Sequence, residues 1–226
     1  MGDPLHPLQP GDPAPAFALP AANREGSVSL ADLRGSPFLI GLFRGLHCPF
    51  CRRQVTQLAD IQPALRGAGI QTVAVINTPV ERARLYFRYR PVPLLLLADP
   101  ECGTHRAFGV PSVAFLPEDS SEPSAWPLST RMADFEAARI DPTGELPGPT
   151  QPMAANALLN AKDGFEPDET DNAIMASHAT QLVGHFLVDG SGAIAWANIE
   201  ARDGPSSLCY FPSAAEILAA AEALGR

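Results

Sequence analysis

Lysine is almost missing from this 226-residue chain: Lys162 stands alone beside fifteen arginines, and the formal net charge is −9. An acidic chain without a basic cluster offers no electrostatic footprint for nucleic acid, so that partner is excluded. The acidity favours solubility and says little about substrate, and the arginine bias is read as coding preference rather than mechanism. Long apolar runs are missing too. The longest, Val92 to Ala98, is far below the length of a membrane span and contains Pro93. Met1 to Pro7 lacks the basic start and apolar core of a secretory signal, so a cytoplasmic location without membrane association is expected. Cysteine is scarce, with four in all. In a reducing compartment such cysteines are catalytic or simply buried rather than structural disulfides.

Two of the four, Cys48 and Cys51, lie two residues apart in Phe43-Arg44-Gly45-Leu46-His47-Cys48-Pro49-Phe50-Cys51-Arg52-Arg53-Gln54. The preceding run, Phe38 to Phe43, has the length and composition of a buried strand, and from Cys51 onward Val55, Leu58, Ile61 and Leu65 recur at helical spacing. Cys48 therefore caps or opens a helix, with Pro49 at the first helical position, where its missing N–H costs nothing. A thiol there meets unpaired backbone N–H groups and the positive end of the helix dipole, both of which favour the reactive thiolate. Arg44, Arg52 and Arg53 add positive charge, and an imidazolium at His47 would add more. Cys48 is the candidate nucleophile and Cys51 the candidate resolving thiol, able to attack Cys48 once that sulfur carries a sulfenic acid or mixed disulfide. This chemistry expects the Cys48 sulfur to be exposed, with Cys51 in bonding reach. The competing reading of a C-x-x-C, half of a zinc site, needs a second closely spaced pair. Cys102 and Cys209 stand far apart with only His105 near the first, so neither a metal nor a cofactor is expected.

The 24 prolines mark the organisation. They cluster in an extended leader, residues 1–20, and again within a segment at 117–178 that carries short apolar groups, Pro, Gly, Ser and the acidic stretch Asp163 to Asp171 without a sustained strand pattern. That segment reads as an insertion within one domain spanning 1–226, and loops so long serve as lids, binding arms or partner contacts. Met153 to Leu159 is a short helix candidate.

Outside it the elements alternate. Ile70–Ile76 and Leu94–Leu97 read as strands, with helices at Val80–Tyr89 and Pro100–Phe108. His185–Val188 and Ala193–Ala197 flank the turn Asp189-Gly190-Ser191-Gly192 as a β-hairpin. Ser213, with Glu216 three residues on, caps an Ala-rich closing helix to Leu224. The order describes an α/β fold with a mixed sheet covered on both faces. Pro63 is expected to kink or break the first long helix. The arginines of Val80–Arg90 read as a solvated face, Cys102 as a buried apolar thiol, and Cys209 as a loop thiol with nothing in its neighbours to single it out.

The chain resembles the peroxiredoxin-like proteins of the alkyl hydroperoxide reductase and thiol-specific antioxidant (AhpC/TSA) branch of the thioredoxin-fold superfamily. The resemblance rests on Gly11-Asp12-Pro13-Ala14-Pro15-Ala16-Phe17, Val28 to Gly35, Cys48-Pro49-Phe50-Cys51, Leu97-Ala98-Asp99-Pro100, Phe108-Gly109-Val110, Phe186 to Gly192 and Phe211-Pro212-Ser213, in that order. It implies a thioredoxin-like, peroxiredoxin-type fold with the Pro-rich insertion placed before the C-terminal hairpin. It also implies a thiol-dependent oxidoreductase in which Cys48 attacks a peroxide or disulfide and Cys51 closes an internal disulfide. An external thiol reductant such as thioredoxin or glutathione then restores the pair, and a homodimer is compatible with the resemblance. The alternatives are a thioredoxin-like disulfide reductase without fast peroxidase activity, and a non-enzymatic binding module with a vestigial dithiol.

Three positions depart from the family pattern. Gly45 occupies the slot of the family's threonine or serine three residues before the nucleophile, and Gly41 that of a proline seven residues before it. The family's arginine ahead of the later strand falls near Val183. Donors of this kind stabilise the leaving oxygen by about 3 kcal/mol each, so fast peroxide reduction needs substitutes, for which Arg44 and His47 are the nearest groups. Pro111 resembles the cis-proline motif of thioredoxins but is assigned to a loop.

Overall fold

The structure, a computed structural model, describes residues 7–225, and the first six residues of the expected leader lie outside the described residues. The rest of the leader pairs with the body: Gly11 N–H donates to the Ile194 carbonyl, and Ile194 N–H donates to that of Asp12. A short antiparallel pair, β1 (Ala18–Pro20) and β2 (Ser27–Ser29), leads through the single turn α1 (Leu30–Leu33) to β3 (Phe38–Phe43). Then come α2 (Pro49–Gly67), β4 (Gln71–Ile76), α3 (Val80–Arg88), β5 (Leu95–Ala98) and α4 (Gly103–Ala107). The segment that follows contains β6 (Ala114–Leu116), β7 (Ser129–Arg131), α5 (Met132–Ala137), α6 (Pro152–Lys162) and α7 (Glu169–His178). The chain closes with β8 (Gly184–Val188), β9 (Ile194–Ile199) and α8 (Ala214–Leu224).

Every residue of β3 is buried, because it lies at the centre of a five-stranded sheet ordered β5-β4-β3-β8-β9. It pairs parallel to β4 and antiparallel to β8, so the sheet is mixed. An all-apolar strand suits a position with both faces covered. Phe186 of β8 lies against Phe108 at the end of α4, while the adjacent His185 lies against Phe211 just before α8. Neighbouring strand residues point to opposite faces, so helices cover both sides as expected. The hairpin β8–β9 and the Ser213 cap also form, with Ser213 Oγ accepting from Glu216 N–H and Glu216 Oε2 accepting from Ser213 N–H.

Two expectations are corrected here. α2 runs unbroken through Pro63, which sits on its exposed face, where the carbonyl left without a donor can reach water. The arginines at Val80–Arg90 are only in part a solvated face: Arg84, Arg88 and Arg90 are exposed, but Arg82 is half-buried and pairs with Asp168 and Asp171, and Arg84 donates to the Ala21 carbonyl. The Pro-rich segment 117–178 is also more ordered than its composition indicates. β6 and β7 pair in parallel, and its base is closed where Val113 N–H meets the Thr180 carbonyl and Leu182 N–H that of Pro111. Pro111 therefore lies in a loop, and the strand beside β3 starts only at Gly184. Among the described residues no helix is long and apolar enough to cross a membrane.

Candidate active site

The loop from β3 to α2 sets the site at the carboxyl end of the central strand. Cys48 is the N-cap of α2 in extended conformation, φ −88° and ψ 103°, with Pro49 following inside the first turn. Its sulfur accepts from the Cys51 N–H at 3.2 Å, which makes the thiol the capping group of the helix. The Cys48 and Cys51 sulfurs stand in disulfide contact, with Cα atoms 5.3 Å apart, inside the range such a bridge requires. The structure thus brings both predicted site residues together.

Exposure is where the expectation fails. Cys48 retains 1% of its surface and Cys51 3%. Segment 117–178 shares a cavity with Cys48 and is fixed to the start of α2 by directional bonds. Arg52 donates to the Leu46 carbonyl at 2.5 Å, to Asn160 at 2.9 Å and to Asp163 at 2.6 Å, and its guanidinium lies 4.2 Å from the centre of the Phe165 ring. Arg53 grips Glu145 at 2.6 Å and Asp163 at 2.8 Å, and Asn160 donates to the His47 carbonyl at 3.0 Å. The charges expected to favour a thiolate are therefore largely matched by carboxylates of the insertion.

His47 does not supply an imidazolium. Burial, then the neighbouring Arg44 and Arg52 charges, push its pKa down to about 4, so the ring is neutral near pH 7. Its Nδ1 has no hydrogen-bond partner. The departure at Gly45 has a steric cause. A Cβ there would lie 2.6 Å from the Asn77 carbonyl oxygen, 2.9 Å from His47 Nδ1 and 3.0 Å from Ile174 Cγ2 of α7. The family's hydroxyl residue does not fit this loop as it stands, chiefly because the Asn77 carbonyl occupies the space. Gly41 is likewise crowded by the Phe43 ring, and its place in a central strand paired on both sides excludes proline.

Arg44 takes a role that sequence did not assign. Val183 is buried and carries no charge, but its N–H donates to Glu200 Oε1 at 2.8 Å, and Arg44 bonds that same carboxylate at 2.5 and 3.2 Å. A guanidinium thus reaches the end of β8 from the loop after β3. Burial opposes the Arg44 charge, and Glu200 with Cys209 outweighs it, leaving Arg44 firmly protonated. Arg44 also donates to Cys209 Sγ at 3.2 Å, and Cys209 N–H donates to Glu200 at 2.8 Å. Burial pushes the Cys209 thiol up to about 12. Cys102 is buried and neutral as expected, its pKa also raised to about 12, chiefly by burial.

One cavity of about 310 Å³ reaches this centre. Arg44, His47, Cys48 and Cys209 line it from the sheet side, while Trp126, Met132, Phe135, Met153 and Met175 line it from the insertion. No signal in the sequence marks these insertion residues, because their partners lie far away along the chain. Among the described residues no cluster of His, Cys, Asp and Glu could hold a metal ion.

Comparison with known proteins adds the following. The sequence model of the AhpC/TSA family matches residues 10–131. A Mycobacterium tuberculosis protein assigned provisionally to the peroxiredoxins is 31% identical over 102 residues, which is 45% of this chain and 64% of that relative, short of two thirds of its length. Peroxiredoxin Bcp of Escherichia coli K12 is 28% identical over 106 residues, 47% of this chain and 67% of that protein. The crystal structure of reduced 2-Cys peroxiredoxin from Plasmodium vivax superposes with a TM-score of 0.58 at 14% identity, covering 96% of this chain and 82% of the other.

Proposed function

Since this chain belongs to the AhpC/TSA family, whose sequence model takes in more than half of it, we propose that it is a thiol-dependent oxidoreductase reducing peroxides through Cys48 and Cys51. The observation that carries this reading is the capped helix start: the Cys48 sulfur accepts the Cys51 N–H at 3.2 Å and has the Cys51 sulfur within bonding contact. In the reduced protein that N–H and the helix dipole favour thiolate at Cys48 over thiol. The thiolate attacks one peroxide oxygen, the O–O bond breaks, and Cys48 becomes a sulfenic acid while the other oxygen leaves with a proton as alcohol or water. The Cys51 thiol then displaces water to form the disulfide. A thiol reductant returns the pair to the start of the cycle.

Burial of both sulfurs favours a peroxide over a protein disulfide as oxidant. A small molecule can enter a cavity of about 310 Å³, whereas the disulfide of a folded partner cannot approach sulfurs 1% and 3% exposed. A cytoplasmic setting suits the two cysteines that remain free thiols, Cys102 and Cys209. The test is intact mass after the reduced protein meets stoichiometric hydrogen peroxide. The wild type should lose two hydrogens and Cys51→Ser should gain one oxygen, trapped as sulfenic acid on Cys48. No change in either protein ends the peroxidase reading.

A further inference from the structure

At the end of the sheet away from Cys48 lies a second cavity, of about 350 Å³. Gln71 and Thr72 of β4 pair with Phe38 and Leu39, the first residues of β3, whereas Cys48 follows the last residue of β3. Four polar side chains line this cavity: Gln62 and Arg66 of α2, four residues apart on one helix face, and Gln71 and Thr72 of β4. None of the four side chains makes a hydrogen bond among the described residues, whereas Arg52 and Arg53 near the start of the same helix are bonded to carboxylates. Gln62 is 6% and Thr72 2% exposed, and Gln62 Oε1 and Thr72 Oγ1 are buried without a partner. Proteins leave few buried polar atoms in this state, because each has given up water and received nothing in exchange. Both residues border the cavity, so its contents can supply the partners they lack.

Charge narrows the occupant. No Asp or Glu lines the cavity, although the chain carries a net charge of −9, and Arg66 has no ion pair among the described residues. Its place in the last turn of α2 suits the helix dipole but leaves the guanidinium donors free for a carboxylate. The Gln62 amide oxygen accepts only, so the occupant must also carry an N–H or O–H donor. Ile70 and Leu95 add apolar wall. We propose that this cavity binds a small organic carboxylate bearing a hydroxyl or amide donor and a short apolar body. Arg66 takes the carboxylate, Gln62 and Thr72 take the polar substituent, and Ile70 with Leu95 take the body. The site is separate from the dithiol, and the inference does not rest on the peroxidase reading.

The probe is mandelate, with two relatives that each lack one feature: phenylacetate has no hydroxyl and mandelamide no charge. Binding to the full chain is followed by calorimetry and by amide NMR. Mandelate should bind saturably and shift the amides of Arg66, Gln71 and Thr72 rather than those of His47, Cys48 and Cys51. Each relative should bind about fivefold or more weakly, the loss expected when one hydrogen bond is removed. Arg66→Ala should weaken mandelate by a similar factor and leave mandelamide unchanged. Thr72→Val keeps the shape of the side chain and should erase the preference for mandelate over phenylacetate. Without ligand it should melt no lower than wild type, because the hydroxyl it removes has no partner to lose. Arg66 is exposed, so its variant carries the test even if Thr72→Val does not fold. No binding of mandelate, equal binding of the three probes, or shifts confined to the Cys48 loop overturns the inference. A lowered melting temperature of Thr72→Val overturns it too, since the hydroxyl would then be bonded within the protein.

Discussion

In β3 all six residues are buried among apolar neighbours, whereas α7 of the insertion buries one residue, Asp171, an acid paired with Arg82 at 2.5 Å. The two regions share one core but differ in what is added to apolar packing. The sheet is held by removal of apolar surface from water, which is non-directional and adds up over many contacts. Segment 117–178 buries Ile140, Ala155 and Leu159 in the same core, and adds to this packing directional contacts in which arginines of α2 and α3 reach its carboxylates more than eighty residues away along the chain. The difference separates stability from access. Loss of sheet packing should unfold the protein, while loss of an arginine contact should only loosen segment 117–178 beside the sulfur.

The largest expected effect isolates the chemistry from both regions: Cys48→Ser should bring peroxide consumption down to the level without protein, and retention of turnover would transfer the nucleophile to another cysteine. Leu58→Ala, at a fully buried position on α2, should cost about 2–5 kcal/mol in urea unfolding of the reduced protein. A value under about 1 kcal/mol would mean that apolar packing there does not hold the fold.

Acid should weaken the sheet before it reaches the arginine contacts. Burial depresses His185 to about 3, and burial with nearby positive charge depresses His47 to about 4. Such groups contribute stability that is complete above their unfolded pKa, about 6.5, and is lost as pH falls towards the folded values. Each should remove on the order of 1 kcal/mol per pH unit below 6.5. By contrast Glu145, held near 2 by its hydrogen bonds with Arg53 and Lys162, keeps its contribution until pH falls below the ordinary glutamate range, about 4.3. Thermal unfolding at pH 7 and 5 should therefore show a drop that His185→Leu reduces, and an equal drop in both proteins would contradict this ordering. Arg53→Ala should change global stability least, by less than about 1 kcal/mol, since the side chain and its partners are partly solvated. It should nonetheless speed alkylation of reduced Cys48, and an unchanged rate would show that Arg53 does not hold segment 117–178 in place beside the sulfur.

The residues that could be read without coordinates are those whose partners are implied by local pattern. The apolar run Phe38–Phe43, the helical repeat after Cys51 and the Ser213–Glu216 cap each carry their own periodicity or spacing, and each forms where expected. α7 has no apolar stripe, so periodicity could not find it, although Asp168 and Asp171 form a capping box at its start. The contribution of segment 117–178 to the site was unreadable for a similar reason. Trp126, Phe135 and Met175 look like any apolar residues in a Pro-rich segment until the chain folds them around the cavity that Cys48 also lines.

By itself the sequence determined the dithiol, its place between a buried strand and a capped helix, and the mixed α/β order, because spacing and periodicity are local properties of a chain. Only the tertiary structure decided that the sulfur is covered, that His47 is neutral, that Arg44 is matched by Glu200, and that Gly45 has no room for a hydroxyl residue. Burial, charge pairing and steric room depend on what arrives from distant parts of the chain, and no local pattern records that.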